Sequence, residues 1–210
     1  MALSKLSSVL AGVVMGLSLV GCGPEDLPTP ELNAEVGNVE QAVTLAATST
    51  NLSKLQNGCY SGSYLLWSGC TNSGSSLDVA YKASVAVAGV TGTVLSDNYG
   101  GYTGECVSLV KAVAKNNATT SQWGRGVNVV ANGGVAPGAA IATFFGTNGT
   151  YYGHAAIFAG YIRDAAGAIT GIRVYDQNWS ARAVTSHNIL RSGTAGTVND
   201  ADSYHVIQVP

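Results

Sequence analysis

The chain has 210 residues, 46% of them hydrophobic and 10% charged, against about 25% charged in a typical soluble domain; one domain with extensions fits that length, which buries a core without relying on disulfides. With 27 glycines and many Ser, Thr and Asn, a strand-rich and loop-rich body is expected and a pure helix bundle is excluded. A formal net charge of −2 without a run of Lys or Arg leaves no electrostatic footprint for nucleic acid or an anionic membrane, and a nearly neutral surface suits an extracytoplasmic protein.

Residues 1–21 read as a secretory signal peptide. Lys5 supplies the positive n-region, Val9–Leu19 the apolar stretch, too short to span a bilayer, and small residues precede Cys22. Leu19-Val20-Gly21-Cys22 resembles the bacterial lipobox, in which the cysteine is lipidated and becomes the mature N-terminus. That lipid would be the only membrane contact, turning a secreted protein into an anchored one. Gly23 is not the aspartate linked to inner-membrane retention, so the expected address is the bacterial envelope at the outer membrane, with secretion as the alternative. Residues 22–50 carry three prolines and the acids Glu25, Asp26, Glu31, Glu35 and Glu40, without Lys or Arg. They read as a flexible acidic tether, or as a propeptide or docking segment around Val36–Leu45.

With Cys22 modified and Cys106 reserved, Cys59 and Cys70 form the expected disulfide in an oxidising compartment, closing the loop CYSGSYLLWSGC. So short a loop yields roughly 2–3 kcal/mol in the chain-entropy model, and its task is local: to staple a turn presenting Tyr60, Tyr64 and Trp67. Those aromatics line a groove or cover a core edge. A zinc site is excluded, because no His or second Cys pair stands at suitable spacing. Leu77–Leu95 is Val-rich with alternating small residues, which favours strands, although its alanines keep helix open. Residues 51–95 are thus expected as a disulfide-stapled extension before a catalytic domain at 96–210.

In Gly101–Lys115, GYTGECVSLVKAVAK, Val107, Val110, Val113 and Ala114 recur at helical spacing after two glycines, so a helix begins near Cys106. Unpaired N–H groups and the macrodipole at a helix start favour the thiolate, the nucleophilic form. Taken alone, a small cysteine on an apolar helix is more often core. Tyr151–Tyr161, YYGHAAIFAGY, then predicts a strand starting at His154, and RDAAGAITG a hairpin-like turn into IRVYDQNW. Period two puts Val174, Asp176 and Asn178 on one face and Gln177 on the other. An antiparallel return brings Asp176 or Asn178 beside His154. Thiol, imidazole and an acid or carboxamide are the groups nucleophilic amide hydrolysis needs: one attacks, one moves the proton, one orients.

GECVSLVK, GHAAIFAGY and VYDQNWS resemble the motifs of the CHAP amidohydrolase/peptidase family and related NlpC-type hydrolases, of the papain-like cysteine peptidase superfamily. The likeness runs from about Tyr99 to Tyr204, and WGRGVNVV with GAAIATF is similar to the intervening segment. The resemblance implies a papain-like α+β fold, with the Cys106 helix packed on an antiparallel sheet of Ala140–Phe145, His154–Tyr161, Ile172–Asn178 and Tyr204–Val209. It implies Cys106 as nucleophile and His154 as general base. Asp176 stands where a glutamate is usual and Asn178 where the asparagine falls, so either is the orienting group, with Gln177 as the weaker third. His187 and His205 read as structural; Trp123 and Trp179 wall the cleft or pack in the core.

The expected activity is therefore cysteine-dependent cleavage of amide bonds in cell-wall peptidoglycan, by an amidase or an endopeptidase, without metal or organic cofactor. The alternatives are a peptidoglycan-binding or immunity-type lipoprotein that does not cleave, and a surface or secreted antibacterial effector with the same chemistry. The oligomeric state is left open by the sequence.

Overall fold

Val-rich and Ile-rich segments of period two in the C-terminal half each become a strand of one antiparallel sheet. The computed structural model describes residues 42–58, 65–66, 79–87, 90–179, 184–192 and 196–210. The signal sequence with Cys22, most of the tether, and the Cys59–Cys70 pair with its aromatics, apart from the backbone of 65–66, lie outside those residues.

In chain order the elements are β1 (Val43–Thr44), α1 (Ser49–Gly58), β2 (Leu65–Leu66), β3 (Val79–Val87), β4 (Val90–Asp97), α2 (Cys106–Ala114), β5 (Gly124–Asn128), α3 (Val129–Asn132), β6 (Ala140–Thr143), β7 (Ala155–Arg163), β8 (Ile169–Gln177), β9 (Val184–Leu190) and β10 (Tyr204–Val209). The sheet runs β1-β10-β6-β7-β8-β9-β2, with β5 also on β10, and every pairing between its strands is antiparallel. Strands β3 and β4 pair antiparallel apart from the main sheet, so the described residues of the Val-rich Leu77–Leu95 stretch are strand and not helix. The fold class is α+β, with the Cys106 helix packed against β7 and β8, as the sequence implies.

Both faces of the sheet are covered, which is why β7 reads as a near-continuous apolar run. Ala155 and Ile157 join Leu109, Val113 and Ile207 in the core under α2. Ala156 and Phe158 turn the other way, to Ile172, Val174 and Ile189. The β7–β8 turn forms at the predicted place. Asp164 Oδ1 accepts from Ala166 N and Ala168 N, both at 2.9 Å, and Gly167 takes the left-handed φ of 86°.

The tether expected through residue 50 ends earlier. Val43 and Thr44 pair with β10, Leu45 is 5% exposed in the α2 core, and Thr48 N donates to Val113 O at 3.2 Å. The spacing of Asn51 and Leu55 on one face of α1 carries the reason: both are fully buried. Glu40–Pro210 is one compact unit, so the expected division at 95/96 is not a break in the packing.

Candidate active site

Helix α2 starts at Cys106 itself. Glu105, in extended conformation, is its N-cap and makes no side-chain capping bond, so the dipole at this end is not spent on its own carboxylate. The loop before it is pinned from both sides. Asp97 Oδ1 accepts from Tyr99 N at 2.5 Å and Gly101 N at 3.1 Å. From the helix, Ser108 Oγ donates to Tyr102 O at 2.6 Å and buried Lys111 Nζ to Tyr99 O at 2.8 Å. Gly101 cannot carry a side chain, since a Cβ would collide with Asp97 Oδ2 and Ser108 Oγ.

His154 sits one residue ahead of β7 and is held through its backbone. Its N–H donates to Thr143 Oγ1 at 2.9 Å, and Thr143 N donates to His154 O at 3.0 Å. Gly153 makes that approach possible at φ +113°, where a Cβ would run into Thr143 Oγ1. The ring's Nε2 lies 2.7 Å from Asp176 Oδ2, which leaves Nδ1 for the Cys106 thiol, whose ionisation and that of the imidazole favour each other.

Which side chain meets the imidazole follows from the turn at the end of β8. Asn178 adopts a left-handed φ of 64°, a conformation Asn tolerates better than most residues, and this swings its amide away from the imidazole. Its Nδ2 donates to Glu105 Oε2 at 2.8 Å, and Gln177 Nε2 donates to Glu105 O at 2.9 Å. Asp176 therefore meets His154, while Asn178 and Gln177 tie the end of β8 to the residue before the cysteine. The shared face expected for Asp176 and Asn178 fails because the strand ends at Gln177.

Electrostatics follow from this geometry. Burial pushes the Cys106 thiol up, but the hydrogen bond and charge of His154, the Tyr151 hydroxyl and the Ala155 N–H outweigh it, and the thiol lies below its ordinary value. Burial pulls His154 down, yet Asp176 and Cys106 raise it to about 9. Burial also opposes ionisation of fully buried Asp176, but His154 and His187 hold it below the usual carboxylate range. All three shifts favour the charged forms: thiolate, imidazolium and carboxylate.

Three residues here were invisible to the motif reading or were read as structural. His187, expected to be structural, places Nδ1 3.4 Å from Asp176 Oδ1, while Thr185 Oγ1 donates to that oxygen at 2.8 Å. The signal was the alternation in VTSHNIL: β9 returns antiparallel to β8 with Val174 opposite His187, so Thr185 and His187 share the Asp176 face. Tyr151 puts its hydroxyl 3.6 Å from Cys106 Sγ, and no periodicity marks it. Of the two tryptophans, Trp123 is core, 4% exposed. Trp179 belongs to the site, edge-on to His154 at 5.1 Å and tilted against His187 at 4.5 Å. His205 stays structural on β10, its pKa lowered by burial.

The sulfur opens onto a cleft of about 640 Å³ lined by Tyr99, Tyr102, Glu105, Thr120 and Tyr151. Tyr102 is 83% exposed there, a broad surface beside the thiol. Among the described residues, no group of three or more His, Cys, Asp or Glu is arranged to hold a metal ion.

Comparison with known proteins assigns the chain to a family. The family model described as Domesticated amidase effector 2 matches residues 76–207, a span that contains Cys106, His154, Asp176 and all three motifs. The Domesticated amidase effector 2 of Ixodes scapularis is 41% identical over 109 residues, covering 50% of this chain and 71% of that protein. Among solved structures, Type 6 secretion amidase effector 2 (Tae2) aligns at 27% identity with a TM-score of 0.41, over 50% of this chain and 81% of that one. Where the motifs alone resembled CHAP and NlpC-type hydrolases, the match over more than half of the chain assigns a family of its own, and the protein belongs to the Domesticated amidase effector 2 family.

Proposed function

We propose that the protein is a cysteine amidase that cleaves peptide-type amide bonds of cell-wall peptidoglycan, with Cys106 as nucleophile, His154 as general acid and base, and Asp176 as the group that orients His154. The observation that carries this reading is a buried thiol at a helix start, electrostatically tied to an imidazole whose Nε2 is 2.7 Å from a buried carboxylate. Membership of an amidase effector family supports the reaction class. The wall as target follows from the motif resemblance and from the secretory signal.

The Cys106 thiolate attacks the carbonyl carbon, forming a C–S bond and moving the carbonyl π electrons to oxygen. The N–H of Cys106, at the first position of α2, is placed to receive that oxyanion. Imidazolium His154 gives its Nδ1 proton to the amide nitrogen, the C–N bond breaks, and the amine leaves. Neutral His154 then takes a proton from water as the hydroxide attacks the thioester; the C–S bond breaks and the thiolate–imidazolium pair returns with a carboxylic acid product. Asp176, fully buried, fixes the tautomer that keeps Nδ1 toward sulfur.

Digestion of purified peptidoglycan by the wild-type chain, followed by mass analysis of the muropeptides, tests the reading and distinguishes amidase from endopeptidase by the new end groups. New amine and carboxyl termini absent with Cys106→Ala are the expected result. Identical digests from both would leave a non-cleaving wall-binding lipoprotein. At the envelope, Cys22 is proposed as the lipidated residue, and fractionation of cells carrying Cys22→Ala should move the protein from membrane to soluble fractions.

A further inference from the structure

Besides His154, one side chain reaches the reactive sulfur. The Tyr151 hydroxyl lies 3.6 Å from Cys106 Sγ and faces the same cleft. Its ring is fixed edge-on against Trp123 at 5.0 Å and against Phe144 at 6.5 Å, and both partners are buried. A tyrosine used only for packing would not need to bring its polar end to the nucleophile; this one buries its ring and spends its O–H there. Next to a sulfur anion a hydroxyl is a donor, and a hydrogen bond to a charged group is stronger than a neutral one.

We infer that Tyr151 is a further catalytic residue, whose hydroxyl donates to the Cys106 sulfur while it is a thiolate and to the carbonyl oxygen once the C–S bond has formed. This rests on the cysteine-amidase reading above. When sulfur attacks, its negative charge passes to an oxygen two bonds away, and a hydroxyl 3.6 Å from the sulfur can follow it there. The phenol proton is shared throughout and never transferred: burial first, then the charge of Cys106, keeps Tyr151 ionisation well above its ordinary range. The proton delivered to the leaving amine remains the one on His154. Ionisable groups acting on the sulfur and hydroxyl are His154 ahead of β7, Tyr204 on β10 and Glu105 before α2, with Asp176 on β8 behind His154, and Tyr151→Phe leaves all four in place.

The test uses the full chain and two readouts. In the absence of substrate, the pH dependence of Cys106 alkylation by iodoacetamide reports the thiolate. In Tyr151→Phe, the midpoint is expected to rise by about one unit, the worth of one hydrogen bond to the charged form. On peptidoglycan, kcat should fall by about 10²-fold with KM little changed, as for loss of an oxyanion donor. Incorporating 3-fluorotyrosine at position 151, a stronger donor of the same shape, should move the alkylation midpoint downward, and it covers the case in which the Phe variant folds poorly. An unmoved midpoint in both variants overturns the inference even if the wild type digests the wall. A moved midpoint with no wall digestion by the wild type leaves the Tyr151–thiolate bond standing and removes the proposed substrate instead.

Discussion

His187 Nδ1 approaches Asp176 Oδ1 to 3.4 Å while His154 Nε2 stands 2.7 Å from Oδ2, so a single fully buried carboxylate lies between two imidazoles. Such a carboxylate is costly to bury unless both oxygens are partnered, and Thr185 supplies the remaining bond to Oδ1. Trp179 packs against both rings, which couples their orientations. Removing one support of the outer oxygen should loosen the inner pair. His187→Gln is expected to lower kcat by about fivefold, the equivalent of roughly 1 kcal/mol of positioning, with KM unchanged and the melting temperature lowered. His187 thus acts as a positioning residue through Asp176, and an unchanged kcat in a folded variant would assign it to packing alone.

Replacing the carboxylate is more severe. Asp176→Asn keeps the shape but removes the charge that, with Cys106, holds His154 at about 9. The active form needs His154 protonated beside a thiolate, so wild-type kcat/KM should decline as pH rises through about 9. In Asp176→Asn the decline should begin lower, toward the ordinary histidine value of about 6.5, with a loss of about 10²-fold at neutral pH. Asn178→Ala should not move that limb, since its amide serves Glu105. Bell-shaped pH–rate profiles of the two variants separate the roles.

The same shift makes a claim on stability. His154 binds its proton more tightly folded than unfolded, so its contribution is fully present below about pH 6.5 and is lost as pH rises through about 9. The size of the shift corresponds to something on the order of 3 kcal/mol. Asp176 has the opposite sign: its lowered pKa stabilises above the ordinary carboxylate value, and that support goes as acid protonates it. Urea denaturation at pH 6 and pH 10 should show the alkaline loss in the wild type and a flatter response in His154→Ala.

Gly153 offers a backbone test. At φ +113° a side chain is strained, and a Cβ would displace Thr143 Oγ1, the atom that accepts from His154 N. Gly153→Ala should cost about 1–3 kcal/mol and reduce kcat more than stability alone explains, because the histidine moves with its anchor. Thermal melting and kinetics on the same preparation measure both parts.

Much of this architecture could be read from periodicity. The helix from Cys106, the β7–β8 hairpin and the terminal strand all lie where alternation and turn residues put them, because each buries an apolar face that its own pattern encodes. Local pattern did not decide between Asp176 and Asn178. That depended on a single left-handed residue ending β8, which the assumption of continued strand parity overrode. Tyr151 and His187 were hidden for a different reason: their partners, Cys106 and Asp176, come from distant elements, brought together by the packing of α2 on the loop before β7 in one case and by the β8–β9 register in the other. Residues 43–50 read as tether because the acidic, proline-bearing composition before them was extended past its true end.

That last stretch carries a prediction of its own. Asn51 is fully buried on α1, and its Nδ2 donates to Val113 O at 2.9 Å and to Ala112 O at 3.4 Å. Those carbonyls belong to the last turn of α2, where internal donors run short, and Asn51 adds to the bonds from Lys115 N to Ala112 O and from Thr48 N to Val113 O. The matched family span starts only at residue 76, yet the helix bearing Cys106 is capped from upstream of it. Asn51→Ala should therefore destabilise the folded chain by about 1 kcal/mol, the net worth of the lost hydrogen bonding, since Val113 O keeps Thr48 N and Ala112 O keeps Lys115 N. Asn51→Asp, which keeps the size but presents a carboxylate to two carbonyl oxygens, should cost more. Because Cys106 lies at the opposite end of the helix, the alkylation midpoint of the thiol should hold steady in both variants while the melting temperature falls. A normal melting temperature in Asn51→Ala would mean that α1 contributes no support to α2.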